Sequence, residues 1–174
     1  MRRTALLSLI ACTLFGNAAR ADEAFDAFRN FCVASRAVAA PALAAADAAG
    51  WMPVPQQLLT QQPALQGADG RMRTTSGGAL VLLTATGNLP QVGPARNCII
   101  GVVPAGSSDL AGQLQAFAGV PKQANASQPE GFYAWRDENG RHVPAENITN
   151  GGALVAATQS TPQMTMIVLM AVAQ

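Results

Sequence analysis

Charged side chains are scarce in this sequence. They make up 12% of its 174 residues, against about a quarter in a typical soluble domain, and Lys122 is the one lysine. No cluster of arginines is interleaved with aromatic residues, which is the pattern that nucleic-acid-binding proteins use to hold phosphates and bases. We therefore expect no nucleic acid among its partners, and a surface covered mainly by uncharged polar groups.

The groups that carry catalysis or bind metals are also few. His142 is the one histidine, the paired glycines lack the spacing and the lysine of a phosphate-binding loop, and no serine stands in a nucleophile-elbow pattern. The chain therefore has few of the side chains that common hydrolytic and metal-dependent mechanisms require. We predict no cofactor, no metal site and no catalytic residue. The alternative is a small exported hydrolase or thiol enzyme that uses His142.

The first residues have the features of an export signal. Arg2-Arg3 precedes a largely apolar stretch, and Ala19-Arg20-Ala21 offers the small residues of a cleavage site. The apolar stretch is shorter than the ~20 residues that a membrane span requires. These features predict a signal peptide over residues 1–21, cleaved after Ala21, and a single exported domain over 22–174 that is periplasmic or secreted. The alternative is a lipoprotein held at a membrane by Cys12, because Leu9-Ile10-Ala11-Cys12 resembles a lipid-attachment box.

Removal of the signal peptide leaves two cysteines, Cys32 and Cys98. In an oxidising compartment an even pair is most simply a disulfide. Closing a loop of 66 residues would stabilise the fold by roughly 4 kcal/mol. Free thiols, with His142 as the base, are the functional alternative. We predict the disulfide.

Helix signals dominate the beginning of the exported part. Asp22 is placed to cap a first helix, on which Phe25, Phe28 and Cys32 share one face. Pro41 opens a second helix, which Gly50 is expected to end in a left-handed conformation while Trp51 folds back onto the last turn. The stretch from Met52 to Gly70 is predicted to be a long connection with one short helical turn. Its part from Gln56 to Gln66 is either a covering loop packed by leucines or a binding segment.

Strand signals dominate the rest of the chain. Residues 71–75 and 79–86 are predicted to form a hairpin, 98–103 a strand, and 87–97 and 122–130 loops. One helix lies among them, capped by Ser107 or Ser108, with Leu110, Leu114 and Phe117 on its buried face. Further strands are predicted on both sides of residue 140 and over 152–159 and 164–173. These elements predict an α+β fold, with N-terminal helices and one middle helix packed on a largely antiparallel sheet of undetermined strand order.

Asn139-Gly140 is the strongest turn signal in the chain, because a type I′ hairpin turn needs two residues with positive φ. A two-residue turn places Asp137 opposite His142 on one face, while Glu138, opposite Arg141, points to the other. Two ligands do not make a zinc site, which needs three or four. We therefore interpret these residues as a solvated turn that sets the register of the hairpin.

Three spaced motifs resemble a loosely defined group of small exported bacterial proteins without an assigned activity. They are Phe28-x-x-Phe31-Cys32, Ala46-Asp47-x-x-Gly50-Trp51 and Cys98-x-Ile100-x-Val102. The resemblance implies the signal peptide and the two-cysteine framework, and carries over no catalytic residue. We predict a disulfide-stabilised, non-enzymatic module that binds a protein, an envelope component or a small apolar ligand, with Trp51, Tyr133 and Trp135 as candidate binding residues.

Overall fold

The computed structural model describes residues 21–60, 67–89, 93–106, 109–125, 128–148 and 152–172. The predicted signal-peptide stretch before residue 21, Cys12, Ser107 and Ser108 lie outside these ranges. Among the residues inside them, helices cover one face of an antiparallel sheet, which confirms the α+β prediction. No helix within these ranges has both the length and the apolar character that a membrane crossing requires.

The described residues contain four helices and nine strands. Helix α1 covers residues 21–33, and its last part, Phe28–Val33, is a π-helix. The other helices are α2 (Ala39–Ala48), α3 (Gln56–Thr60) and α4 (Leu110–Ala118). The strands are β1 (Met52–Pro53), β2 (Asp69–Thr75), β3 (Gly78–Leu89), β4 (Gly93–Val103), β5 (Gln123–Asn125), β6 (Gln128–Glu138), β7 (Arg141–Pro144), β8 (Leu154–Ser160) and β9 (Thr165–Val172).

The order of the strands differs from their order along the chain. Within the described sheet they follow β1-β2-β3-β4-β9-β8-β6, and both β5 and β7 pair with β6. Every pairing is antiparallel. The last strand, β9, therefore lies in the middle of the sheet, between β4 and β8. This insertion joins the hairpins of the first half of the chain to those of the second half.

The predicted strands are confirmed, but two predicted loops are wrong. Residues 87–89 and 93–97 continue β3 and β4 as one long hairpin, with Gly87 opposite Ala95 and Asn88 opposite Pro94. Pro94 is tolerated because β4 pairs with β9 only from Ala95 onward, so that among the described residues the other side of the strand is an edge at Pro94. Within 122–130, Gln123 pairs with Phe132 as β5 adds to the edge of β6. Pairing with a neighbour has overridden the weak strand propensity of both stretches.

The core lies between the helices and one face of the sheet. Side chains alternate along a strand, and the apolar positions at the centre of the face toward the helices have no measurable exposure. They include Leu80, Leu82, Ile100, Ile167 and Leu169. Phe28 of α1 and Leu114 of α4 cover them from above and are equally buried. The helices are therefore held on the sheet by a continuous apolar layer.

The predicted end of α2 is confirmed in detail. Gly50 adopts a φ of 77°, its N–H donates to Asp47 O at 3.0 Å, and the Trp51 N–H donates to Ala46 O at 3.0 Å, the two bonds of a Schellman motif. The Trp51 ring then packs edge-on against Phe31, with 5.2 Å between centroids. Arg71 of β2 fastens the same helix through two hydrogen bonds to Asp47, and this contact keeps the pKa of Asp47 below its ordinary value.

The other helix ends are built partly as predicted. Gly119 ends α4 with a φ of 62°. Asp109 caps its start by accepting a hydrogen bond from the Gly112 N–H at 3.1 Å, a role that was predicted for a serine. Residue 21 is already helical, so Asp22 lies inside α1 and not at its cap. Its carboxylate accepts a hydrogen bond from Gln113 of α4 at 2.6 Å, which ties the two helices together.

Candidate ligand-binding pocket

The predicted disulfide is confirmed, and it joins the end of α1 to the sheet. Cys32 and Cys98 are bonded with their Cα atoms 5.4 Å apart, and both are fully buried. Cys32 lies in the π-helical turn, and Cys98 lies on β4 with its side chain toward the helices. The residues directly after Cys32 are therefore held over the beginning of β4.

The chain leaves α1 through an unusual turn directly after this disulfide. Arg36 and Ala37 both have positive φ, at 52° and 57°, a conformation that costs of the order of 1–3 kcal/mol for a residue with a side chain. The turn is held by hydrogen bonds from Ala37 N to Cys32 O at 2.9 Å and from Ser35 Oγ to Phe31 O at 2.5 Å. These bonds and the disulfide maintain the strained backbone, which directs Arg36 toward the end of the sheet.

A cavity of about 310 Å³ lies beneath Arg36 at the end of the sheet where β4 and β8 begin and β9 ends. Register explains its floor, because Arg96, Ala171 and Leu154 occupy one row across β4, β9 and β8. The small side chain in the middle of this row leaves space between its neighbours. The described residues that line the cavity are two arginines and five glycine or aliphatic residues: Arg36, Arg96, Gly152, Ala153, Leu154, Ala171 and Val172.

The two arginines of the pocket differ in their partners. Arg36 donates to Asp137 Oδ2 at 2.8 Å and to the carbonyl oxygen of Gly152 at 3.1 Å. Arg96 has no ion pair, and its buried Nε–H has no hydrogen-bond partner in the part of the chain that the structure describes. A buried donor without an acceptor costs about 1–3 kcal/mol. The guanidinium of Arg96 is therefore a positive group that lines a cavity, with an Nε–H that no described residue accepts.

The hairpin at residue 140 has the predicted register, but its polar residues contact other elements. Asp137 lies opposite His142, and the carboxylate that binds Arg36 has its other oxygen 3.4 Å from His142 Nε2. His142 Nδ1 lies 3.2 Å from Phe117 O and 3.1 Å from Ala118 O. Only an N–H can bond to a carbonyl oxygen, so Nδ1 carries a proton. A chain of polar contacts thus runs from the end of α4 to the rim of the pocket.

The function of the pocket has to be inferred from its own geometry. No protein-family model, curated protein or solved structure matches this chain. The resemblance to small exported bacterial proteins stays a prediction. The site itself combines two guanidinium groups with small and aliphatic residues of the sheet.

The aromatic residues predicted to bind a partner lie in the core. Trp51 is 4% exposed, Tyr133 6% and Trp135 0%. Trp135 packs against Phe117 and His142, with ring centroids 6.1 and 5.1 Å apart. Their binding role stays a prediction, and their placement gives them a packing role. Of the other candidate segment, residues 56–60 form the short helix α3, while 61–66 lie outside the described ranges.

Neither pocket arginine was among the residues predicted to bind, although a signal for both was present in the sequence. Arg36 stands four residues after Cys32, one helical turn away, and Arg96 stands two residues before Cys98, on the same face of a strand. Once these cysteines are predicted to pair, both arginines are predicted to lie near one end of that bond. The uncharged residues that line the pocket, contributed by β8 and β9, are not indicated by any pattern in the sequence.

Few groups near the cavity could take part in acid–base or metal chemistry. Among the described residues that line it, none has a hydroxyl, thiol, imidazole or carboxylate side chain. Among the described residues, no group of three histidine, cysteine or acidic side chains could hold a metal ion. Asp137 and His142 face each other, but Arg36 already occupies the second oxygen of that carboxylate.

Proposed function

We propose that this chain is an exported, disulfide-stabilised, non-enzymatic module that binds a small molecule in the arginine pocket. The observation that carries the proposal is the cavity of about 310 Å³, lined by the guanidinium of Arg96, which has no ion pair among the described residues. That volume lies at the lower end of the range for small-molecule sites, about 300–1,000 Å³.

Export is supported by the state of the cysteines. Disulfides persist in oxidising compartments and are rare in the cytosol, and the Cys32–Cys98 bond is buried at the centre of the fold. The predicted signal peptide over residues 1–21 is consistent with such a compartment. A lipid anchor at Cys12 would keep the same module at a membrane surface and leave the pocket unchanged.

A binding role also accounts for the strained turn. Left-handed conformations at Arg36 and Ala37 are unfavourable, and the disulfide and local hydrogen bonds hold them in place before any ligand arrives. A preformed site loses less conformational entropy on binding than a flexible one. The enzyme centred on His142 is less well supported, because the Nδ1 of that residue is used to bind carbonyl oxygens of α4.

The test is mass spectrometry of the protein recovered from its native host. We expect a native mass that exceeds the denatured mass by one small molecule, and a chain that begins at Asp22 and takes up two alkyl groups only after reduction. Ala171→Leu should abolish the extra mass because the new side chain enters the cavity. Ala44→Leu, on the exposed side of α2, is the matched control. Equal ligand occupancy in both variants would contradict binding in this pocket.

A further inference from the structure

We infer that the ligand of this pocket is a small monocarboxylate, an inference that rests on the proposed function. The charge of Arg96 is the first reason. Its guanidinium lines the cavity, its Nε–H is buried, and no acidic group of the described chain pairs with it. The planar guanidinium fork offers parallel N–H donors that match the two oxygens of a carboxylate. The Nε–H is enclosed by protein, so an acid in the cavity would accept from the terminal N–H groups of the fork.

The balance of charge around the cavity limits the ligand to a single negative charge. Arg36 and Arg96 contribute two positive charges to the rim, and Asp137, at 2.8 Å from Arg36, cancels one of them. One net positive charge is neutralised by one carboxylate. A ligand with two negative charges would leave one uncompensated in a partly enclosed site, where charges are poorly screened.

The remaining walls and the volume limit the size of the acid. Leu154, Ala171 and Val172 have aliphatic side chains, but the exposed fraction of each is 4% or less, so they offer a ligand little surface. The volume corresponds to about ten water molecules at ~30 Å³ each. An acid with roughly that number of non-hydrogen atoms or fewer fits this volume.

Phosphate is a poorer match to the same groups. Phosphate sites commonly combine several backbone N–H groups at a helix start or glycine-rich loop with arginine or lysine. Here the side chain of Arg36 is already engaged by Asp137 and Gly152, and Arg96 is the one cation of the lining left without an ion pair in the described residues. A single planar fork without an ion pair favours a carboxylate.

The test is a calorimetric titration of the disulfide-bonded protein with three probes: hexanoate, 1-hexanol and inorganic phosphate. Hexanoate should bind with one-to-one stoichiometry, and the alcohol and phosphate at least tenfold more weakly. Arg96→Met keeps the length of the side chain and removes its charge, and should weaken hexanoate binding roughly 10- to 100-fold. Arg141→Met, at the exposed hairpin end, is the control and should bind like the wild type. Arg96→Lys provides a second variant if the methionine variant does not fold.

The outcomes separate the two proposals. Equal affinity for hexanol and hexanoate, or tighter binding of phosphate, would overturn the carboxylate inference and leave small-molecule binding standing. If none of the probes binds, the ligand released from the native-host protein decides: an acid supports the inference and a neutral compound overturns it. Absence of both probe binding and a host ligand would refute the proposed function itself.

Discussion

Replacing Cys32 and Cys98 together by alanine tests how much the cross-link contributes to stability. The bond joins residues 66 apart, for which the loss of chain entropy in the unfolded state corresponds to about 4 kcal/mol. Alanine is the suitable substitute because both sulfurs are fully buried, and serine would add a hydroxyl without a partner. For a domain of this size we expect the melting temperature to fall by roughly 8–16 °C.

Urea unfolding followed by circular dichroism measures this loss directly. The midpoint should fall, while the dependence of the unfolding free energy on urea should not decrease, because the uncrosslinked unfolded chain exposes at least as much surface. Reduced wild-type protein is the matched control, since it keeps both side chains and lacks only the bond. A loss below about 1 kcal/mol in both proteins would show that the cross-link does not act through the unfolded chain.

The same perturbation should reach the pocket. Arg36 stands four residues after Cys32 and Arg96 two before Cys98, so the cross-link sets the distance between the two arginines. In the absence of urea, and under conditions in which both forms remain folded, we expect the reduced protein to bind hexanoate more weakly than the oxidised protein. Equal affinities would show that the hydrogen bonds of the turn hold Arg36 without help from the disulfide.

Three further substitutions test other parts of the fold. Gly70→Ala is expected to destabilise the protein by roughly 1–3 kcal/mol, because the added Cβ would lie 2.8 Å from a backbone oxygen of the paired strand. An unchanged urea midpoint would show that this close contact does not form. Trp51→Ala should cost roughly 3–5 kcal/mol, whereas Met52→Ala, at a side chain that is 58% exposed, should cost less than about 0.5 kcal/mol; equal midpoints would argue against a packing role for Trp51. The hydrogen bond from Arg71 keeps the pKa of Asp47 below its ordinary value of 3.8, so the pair stabilises the fold above that pH and loses this effect as the pH falls through the depressed pKa. The difference in melting temperature between the wild type and Asp47→Asn should therefore close below pH 3.8, and a difference that persists throughout an acid titration would refute the assignment.

Predictions from the sequence succeeded where residues that are close in the chain are also close in space. Asn139-Gly140 adopts the two positive φ values of its turn, 51° and 76°, and this alone sets the register of the hairpin. Gly50 and Gly119 end their helices as expected. Such features depend on the conformational limits of a few adjacent residues, which the sequence displays directly.

Predictions failed where a distant neighbour decides the structure. Residues 87–97 are rich in glycine and proline and were expected to be a loop, yet most of them pair within a long hairpin. Their local propensity is weak, and hydrogen bonds to strands that pack against a common core outweigh it. The candidate site was missed for a related reason. The aromatic residues were expected to contact a partner, but they are buried in the core, and the pocket is lined by residues from distant parts of the chain.

The sequence by itself determined the α+β class, the pairing of Cys32 with Cys98 and the hairpin register, because composition, periodicity and turn chemistry are local properties. The tertiary structure alone decided the strand order and the pocket. Arg96 meets Ala171 and Leu154 only because β9 inserts between β4 and β8, and Arg36 meets them because the turn that follows Cys32 passes above that row. These contacts join segments that are separated by many residues in the chain. They are stabilised by the packing of the whole domain, which neither segment shows in its own sequence.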